Sequence, residues 1–290
     1  MLKTSDIRIR DPFILPFDGV YYMYGTICMP DAGNRLYLYR STNLMDWQEP
    51  ALIFELPENS WGIGELWAPE VHIYKEKFYM FISILGKNGL RGTQIAVCDK
   101  PDGMFTPLVN KPATPMDKSC IDGTLYVENG VPYMVYSRDW PDNFVEEKEC
   151  YVGQICAVQL TNDLKEHVGE PFLLFNSDEA LCSANSPHKM DWEGRQIKRY
   201  GSDAPFIQTL PDGRLLLTWS PMPDGNYIVG AAVSDSIKGE WKHIEKPIFD
   251  KNGGHAMFFT DFEGKRKMCI HCPEKYPEER ALIVDAEEVF

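Results

Sequence analysis

The sequence has little positive charge and no long apolar run. Lysine and arginine number 29 against 43 aspartates and glutamates, so the formal net charge at pH 7 is −14. Such a surface repels phosphates, and we therefore expect no nucleic-acid partner. Because no apolar stretch approaches the length that spans a bilayer, we expect no membrane partner either. The composition leaves the oligomeric state open.

The N-terminal residues contain no apolar segment after a basic stretch, so no secretory signal peptide is visible. The eight cysteines have no regular disulfide spacing. Together these features predict a cytoplasmic protein with reduced thiols. Cys269 and Cys272 form a single CxxC motif around His271. We interpret it as packing or chance rather than a zinc site, because a matching second pair of ligands is missing.

Short alternating apolar segments recur along the whole chain. Each pair is rich in β-branched and aromatic residues and is joined by a short turn, as in PFILPF, Asp18-Gly19, VYYMYGT. This pattern predicts β-hairpins. Five of them are visible, in residues 12–26, 71–84, 123–137, 205–220 and 255–272.

A third strand follows most hairpins, and a short fourth strand comes next, as in ALIFEL, PFLLF and HIEKPIF. The unit recurs at roughly 50–80 residues, which is typical of propeller blades. We predict an all-β, five-bladed β-propeller with four antiparallel strands per blade, forming a single catalytic domain over residues 1–290. The polar segment 176–200 is expected to be a long loop before the fourth blade.

Acidic residues stand where the first strands of the predicted blades begin. The first strand of each blade lines the central channel of a propeller, so these positions are expected to converge. Burying several acids together is unfavourable unless they are paired or protonated, which indicates a purpose. Glycosidic bond cleavage is a reaction that needs clustered carboxylates. The five starts contain Asp11, Glu70, Asp122, Asp203 and His255.

The motifs Arg10-Asp11-Pro12, Trp67-Ala68-Pro69-Glu70, Ile121-Asp122-Gly123 and Gly253-Gly254-His255 resemble glycoside hydrolase family 43 in kind and order. This resemblance extends over essentially the whole chain. It implies an inverting glycoside hydrolase, with Asp11 as the general base and Asp122 as the residue that tunes and orients the proton donor.

The family's proton donor is usually a glutamate in a Glu-Gly-Pro segment, and here that segment reads Asp203-Ala204-Pro205. Asp203 is the positional match, although its side chain is one methylene shorter. The other acids considered for this role are Glu65, Glu70 and Asp139.

The resemblance and the aromatic residues near the strand starts also indicate a sugar-binding set. Trp67, Trp140 and Trp219 are expected to stack on sugar faces, although Trp219 fits a packing role equally well. His255 matches a family histidine on the propeller axis that holds a hydrated calcium ion or a water, so a structural calcium is considered there. No cofactor is required. The predicted substrate-binding residues are Trp67, Glu70, Arg138, Asp139, Trp140 and Trp219.

The predicted substrate is a small oligosaccharide from which a terminal sugar is released. α-L-Arabinofuranose is favoured over β-D-xylose and β-D-galactofuranose. Two alternatives remain open. One is a glycoside phosphorylase on a related propeller, in which phosphate replaces water. The other is a catalytically inactive propeller that binds sugar.

Overall fold

The computed structural model describes residues 1–27, 33–183 and 186–288. Within them the structure consists of strands joined by turns, with short 3-10 helices and no α-helix. None of the described helices is long and apolar enough to cross a membrane. The 3-10 helices are Thr4–Asp6, Trp140–Asp142, Glu146–Lys148, Ser177–Glu179, Pro223–Gly225 and Ala286–Glu288.

The chain divides into two compact units. The first comprises Met1–Ala113 and Ala256–Phe290, and the second comprises Thr114–His255. A single domain over residues 1–290 therefore stays a prediction, and each unit is described by itself.

The first unit contains three antiparallel sheets. In the first sheet the strand order is β1-β5-β4-β3-β2, and β6 also pairs with β4. The other two have the orders β10-β9-β8-β7 and β23-β24-β25. The strands are β1 (Leu2–Lys3), β2 (Ile9–Phe17), β3 (Val20–Ile27), β4 (Arg35–Ser41), β5 (Asp46–Trp47), β6 (Ala51–Glu55), β7 (Gly62–Tyr74), β8 (Lys77–Gly86), β9 (Arg91–Cys98), β10 (Thr106–Pro107), β23 (Gly254–Thr260), β24 (Arg266–Cys272) and β25 (Arg280–Asp285).

The second unit also contains three sheets, with the orders β11-β12-β15-β16, β13-β14-β18-β17 and β19-β20-β21-β22. The strands are β11 (Cys120–Glu128), β12 (Val131–Arg138), β13 (Phe144–Val145), β14 (Cys150–Val152), β15 (Gln154–Leu160), β16 (His167–Asn176), β17 (His188–Trp192), β18 (Arg195–Tyr200), β19 (Asp203–Thr209), β20 (Leu215–Ser220), β21 (Gly230–Ser234) and β22 (Lys242–His243).

The five predicted hairpins are present as β2–β3, β7–β8, β11–β12, β19–β20 and β23–β24. Three of them have two-residue turns in which both residues have positive φ, the geometry that matches strand twist. These turns are Asp18-Gly19, Lys75-Glu76 and Asn129-Gly130. The second of them contains neither glycine nor asparagine, which the hairpin pattern alone did not lead us to expect.

The expectation that residues 176–200 form a loop is wrong for their second half. β17 and β18 form a hairpin there, and β18 pairs in parallel with β14 to build an additional sheet. The predicted strand HIEKPIF is also shorter than expected, because only Lys242–His243 pairs as β22. Among the described strands, the last sheet has three members rather than four.

Apolar residues on alternate positions of these strands form the cores. In the first unit, Trp47, Phe54 and Phe81 are fully buried. In the second unit, one buried cluster joins three strands of the β11 sheet to the β19 sheet around Val135, Ile155 and Trp219. Burial of this kind is the main favourable term in folding, and it holds the starts of the long hairpins in fixed positions.

Candidate functional site

Each of the five hairpins begins with a strand that carries a non-glycine residue with a strained, positive φ. We call β2, β7, β11, β19 and β23 the opening strands. The register shifts next to this residue in β2, β7, β11 and β19, as in a β-bulge. A bulge with positive φ is unfavourable for a non-glycine residue and commonly re-aims a side chain at a functional site. The strained residues are Asp11 (φ 52°), Ala68 (φ 46°), Asp122 (φ 55°), Ala204 (φ 57°) and His255 (φ 57°).

The strained residues show which of the predicted strand-start positions are equivalent. Asp11, Asp122 and His255 occupy the strained position itself, whereas Asp203 precedes the strained Ala204. Glu70 lies two residues after the strained Ala68, so it is not equivalent to the aspartates. The expectation of four carboxylates at one equivalent position is therefore wrong for β7.

Hydroxyl side chains on the neighbouring strands hold the strained backbone. In the first unit, the Ala68 N–H donates to Thr26 Oγ1 at 2.8 Å. In the second unit, the His255 N–H donates to Ser220 Oγ at 2.8 Å. Each acceptor lies on the strand paired with the preceding opening strand, and these bonds offset part of the unfavourable φ.

Asp11 is nearly buried, with 9% of its surface exposed. Thr26 Oγ1 donates to Asp11 Oδ2 at 2.6 Å. The Asp11 N–H donates to His271 Nδ1 at 3.1 Å, and Oδ1 lies 3.4 Å from the same nitrogen. Within the first unit, Thr26 thus holds the carboxylate of the predicted base, and His271 holds its backbone.

Asp122 and Asp203 lie close together in the second unit. Asp122 is 5% exposed, and its Oδ2 accepts the N–H of Ala204 at 2.9 Å. Because Ala204 follows Asp203 directly, this bond links the two aspartates. The structure therefore brings together two of the three predicted catalytic acids.

The pKa of Asp203 is raised to about 8. Burial is the largest cause, and the negative charges of Asp122 and Asp139 add to it. The positive side chain of Arg199 and His255 act in the opposite direction. A carboxyl group with this pKa carries a proton at neutral pH, which is the state that a general acid needs.

The residues around Asp203 include part of the predicted binding set. Asp139 caps a 3-10 helix, and its carboxylate accepts the Trp140 N–H at 2.9 Å. The Trp140 ring packs edge-on against Trp192 at 5.2 Å between centroids. The Arg199 guanidinium lies over Trp140, 4.8 Å from the ring centroid. The additional sheet thus places Arg199 and Trp192 against Trp140. Trp140 follows Asp139, whose charge acts on Asp203.

Arg138 is occupied within the protein. Its Nε donates to Asp142 Oδ1 at 3.0 Å, and Nη1 donates to Gln154 Oε1 at 2.9 Å. These bonds fix the orientation of the guanidinium, and its role in substrate binding stays a prediction.

The binding role predicted for Trp219 is wrong. Its ring is 1% exposed and belongs to the core of the second unit. The ring packs against Phe175 at 4.8 Å and His243 at 5.2 Å between centroids. A ring enclosed in this way cannot stack on a sugar.

In the first unit, Trp67 is 38% exposed. The Arg91 guanidinium covers one face of the ring at 3.1 Å from its centroid, and Arg91 also pairs with Glu65. Glu70 is 4% exposed and hydrogen-bonds His72 Nε2 at 3.0 Å. Trp67 has the exposure that a sugar platform needs, whereas Glu70 is a buried partner of His72.

His255 is 6% exposed and lies at the start of β23. The described residues contain no group of three or more His, Cys, Asp or Glu arranged to hold a metal ion. Calcium prefers oxygen ligands, so the described side chains do not form a calcium site by themselves. The axial calcium stays a prediction, and no step below uses it.

The sequence reasoning missed His271 and Glu274. His271 is fully buried, and its Nε2 lies 2.5 Å from Glu274 Oε2. The available signal was the position of His271. It lies on β24, the second strand of the fifth hairpin, whereas the second strands of the first and fourth hairpins carry Thr26 and Ser220. The surrounding CxxC motif was interpreted as packing or chance, so no role was assigned to the histidine within it.

Comparisons with known proteins agree with this architecture. The family model "Glycosyl hydrolases family 43" matches residues 5–286. An endo-arabinase structure from Bacteroides thetaiotaomicron superposes with a TM-score of 0.85 and 34% identity. That match covers 98% of this chain and 96% of the other.

Two curated relatives are more distant. The xylosidase/arabinosidase 43A of Humicola insolens is 26% identical, with 89% of each chain covered. The extracellular exo-α-(1→5)-L-arabinofuranosidase of Streptomyces avermitilis is 22% identical over 92% of this chain and 55% of its own length. This chain thus spans about half the length of that relative.

The hairpin repeat, the acidic opening strands and the family match define an all-β glycosidase of the five-bladed β-propeller type. The chain belongs to glycoside hydrolase family 43 and is a glycoside hydrolase.

Proposed function

We propose that the protein is an inverting glycoside hydrolase that removes terminal α-L-arabinofuranose from short oligosaccharides. The observation that carries the proposal is the position of Asp203, which is linked to Asp122 through the Ala204 N–H. Burial and the charges of Asp122 and Asp139 raise its pKa to about 8. In inverting enzymes one carboxylic acid protonates the leaving oxygen while a second carboxylate activates water.

Asp203 is the proposed general acid, and Asp122 is its positioning partner. The bond from the Ala204 N–H to Asp122 Oδ2 fixes the backbone beside Asp203. The charge of Asp122 also keeps the proton on Asp203. The shorter aspartate replaces the family's usual glutamate, so the leaving oxygen must approach closer to the strand.

Asp11 is the proposed general base. The hydrogen bond from Thr26 to Oδ2 orients the carboxylate within the first unit. A base held in one orientation can take a proton from water without first reorganising. Trp67 is the proposed stacking platform for a sugar ring, because its ring is exposed.

The relatives support the sugar but divide on the mode of attack. The Streptomyces and Humicola relatives carry arabinosidase names, and the Bacteroides structure is described as an endo-arabinase. Digestion of a linear α-1,5-arabino-oligosaccharide separates the two modes. Release of arabinose alone supports exo action, and a ladder of shorter oligosaccharides supports endo action.

Leaving-group dependence tests the two catalytic roles separately. Asp203→Asn should retain much of its activity on an aryl arabinofuranoside with an acidic phenol, because that leaving group needs little protonation. It should lose about 1,000-fold on an oligosaccharide. Asp11→Asn should lose activity on both substrates. Wild-type activity of Asp11→Asn would refute the proposal.

Product stereochemistry and phosphate dependence distinguish the remaining alternatives. NMR of the first product should show the anomer opposite to that of the substrate. Turnover that requires inorganic phosphate would identify a phosphorylase. Sugar binding without cleavage by the wild-type protein would identify an inactive propeller.

The cytoplasmic location also stays a proposal, which rests on the N-terminal residues and the cysteine pattern. The Streptomyces relative is described as extracellular. Fractionation of the native host, followed by immunodetection in the medium and the cell lysate, tests this proposal.

A further inference from the structure

His271 occupies a position that is special among the hairpins. It lies on β24 and is fully buried, and its Nδ1 accepts the N–H of Asp11 at 3.1 Å. Thr26 and Ser220 do the same for the strained residues Ala68 and His255, using only a hydroxyl group. A hydroxyl is therefore sufficient to hold a strained residue in this fold. The strained Asp11 receives an imidazole instead.

The hydrogen bonds define the protonation of the His271 ring. A backbone N–H can only donate, so Nδ1 must be unprotonated and the ring proton must lie on Nε2. Nε2 then donates to Glu274 Oε2 at 2.5 Å. Glu274 thus selects the one neutral tautomer that can accept the Asp11 N–H.

Glu274 is itself held as a carboxylate. Burial would raise its pKa, but the hydrogen bond from His271 and the positive charge of Arg10 lower it overall. Arg10 Nη1 lies 2.9 Å from Glu274 Oε1 and 3.6 Å from Glu279 Oε1. Arg8 also pairs with Glu279 at 3.2 Å. Among the described residues, these are the charged groups that the ion pairs place around the ring besides Asp11, and they link Arg8 and Arg10, which precede Asp11, to the segment after β24.

We propose that His271 and Glu274 are a positioning pair for the general base. Glu274 fixes the tautomer and the ring plane of His271, and His271 fixes the backbone of Asp11, from which the carboxylate projects. The inference rests on the proposed function, because it assigns a purpose to a contact with the proposed base. Neither residue is proposed to touch substrate.

Substitution of His271 tests the first half of the pair. In His271→Leu the Asp11 N–H loses its acceptor, and we expect kcat to fall about 100-fold with KM nearly unchanged. The acid limb of the kcat/KM profile should move to higher pH, because an apolar neighbour disfavours a charged carboxylate. His271→Asn places an amide oxygen near the former Nδ1, so it should recover most of the lost kcat.

Substitution of Glu274 tests the second half. Glu274→Gln can donate to the ring and favour the wrong tautomer, so we expect kcat to fall about 10-fold. Glu278→Gln is the matched control, because it removes a carboxylate from the exposed pair with Lys275 in the same segment. The control should retain wild-type kcat. Urea unfolding of every variant separates lost positioning from lost folding.

The outcomes separate this inference from the proposed function. If Asp11→Asn is inactive while His271→Leu and Glu274→Gln keep wild-type kcat and pH profiles, the positioning pair is refuted and the base assignment stands. If Asp11→Asn is fully active, the proposed function itself fails. If His271→Leu does not fold, the Asn variant and Glu274→Gln decide. Wild-type kinetics in Glu274→Gln would then overturn the pair.

Discussion

Asp203 lies near charges of opposite sign, and these charges shift its pKa in opposite directions. Asp122 and Asp139 raise its pKa, whereas Arg199 and His255 lower it, on top of the dominant effect of burial. A general acid works only while protonated. The alkaline limb of kcat/KM should therefore fall as the pH rises through about 8.

Asp139→Asn should move this alkaline limb to lower pH by about 0.5–1 unit, because the variant removes a negative charge that favours the protonated form. Asparagine still caps the 3-10 helix, so the local fold should survive. The pH dependence of kcat/KM measures the shift. Asp163→Asn, at an exposed site, is the control. A limb that stays in place would show that Asp139 does not influence the acid.

A substitution that removes a nearby positive charge should shift the alkaline limb in the opposite direction. Arg199→Gln removes a positive charge near Asp203, so the alkaline limb should move to higher pH. Arg195→Gln is the matched control, because Arg195 lies on the same strand with an exposed side chain. Equal shifts in Arg199→Gln and Arg195→Gln would contradict a local electrostatic cause.

The starts of recognisable apolar strands were sufficient to select Asp11, Asp122 and Asp203 as candidates, and their catalytic roles stay a prediction. The sequence did not reveal His271, whose contact with Asp11 joins residues 260 apart in the chain. It also left Trp219 undecided between stacking on the sugar and packing in the core, because an alternating strand does not show which tryptophan faces the core. Contacts between distant segments require coordinates.

At the scale of elements, the hairpin turns set the register between each opening strand and its partner. Lys75 and Glu76 both have positive φ without a glycine, unlike the turns that end in Gly19 and Gly130. A left-handed conformation is unfavourable for a residue with a Cβ atom by about 1 kcal/mol or more. The β7–β8 turn therefore holds strain that its counterparts avoid.

Glu76→Gly should raise the free energy of unfolding by about 0.5–1 kcal/mol, because glycine adopts positive φ without a steric penalty. Glu76 is exposed, so no packing is lost. Urea denaturation measures the change. Glu76→Ala keeps the Cβ atom and should leave stability unchanged. Destabilisation by glycine would indicate that the Glu76 side chain holds the turn.

Hairpins were predictable at this scale because turn and strand signals are local. The β17–β18 hairpin was not predicted, since its strands are polar and its sheet depends on the parallel partner β14. β22 was predicted too long for a similar reason. The sequence HIEKPIF has strand character, but of its residues only His243 pairs within β22, and Phe249 forms an isolated bridge with Val229.

At the scale of the whole molecule, the net charge of −14 produces self-repulsion at neutral pH. Raising NaCl from 10 to 150 mM should screen this repulsion and raise Tm by about 2–4 °C. The effect should vanish near pH 4.9, the isoelectric point. Calorimetry at both pH values measures it. Equal salt effects at both pH values would point to a cause other than net charge.

The first unit is assembled from Met1–Ala113 and Ala256–Phe290, which are separated by the whole second unit. During synthesis, Asp11 leaves the ribosome long before His271 exists. Its strained amide must wait for the acceptor until the whole second unit has been translated. The second unit is continuous and can fold in the meantime. The environment of the proposed base is thus completed only after the second unit, which delays any catalytic competence until β24 has been translated.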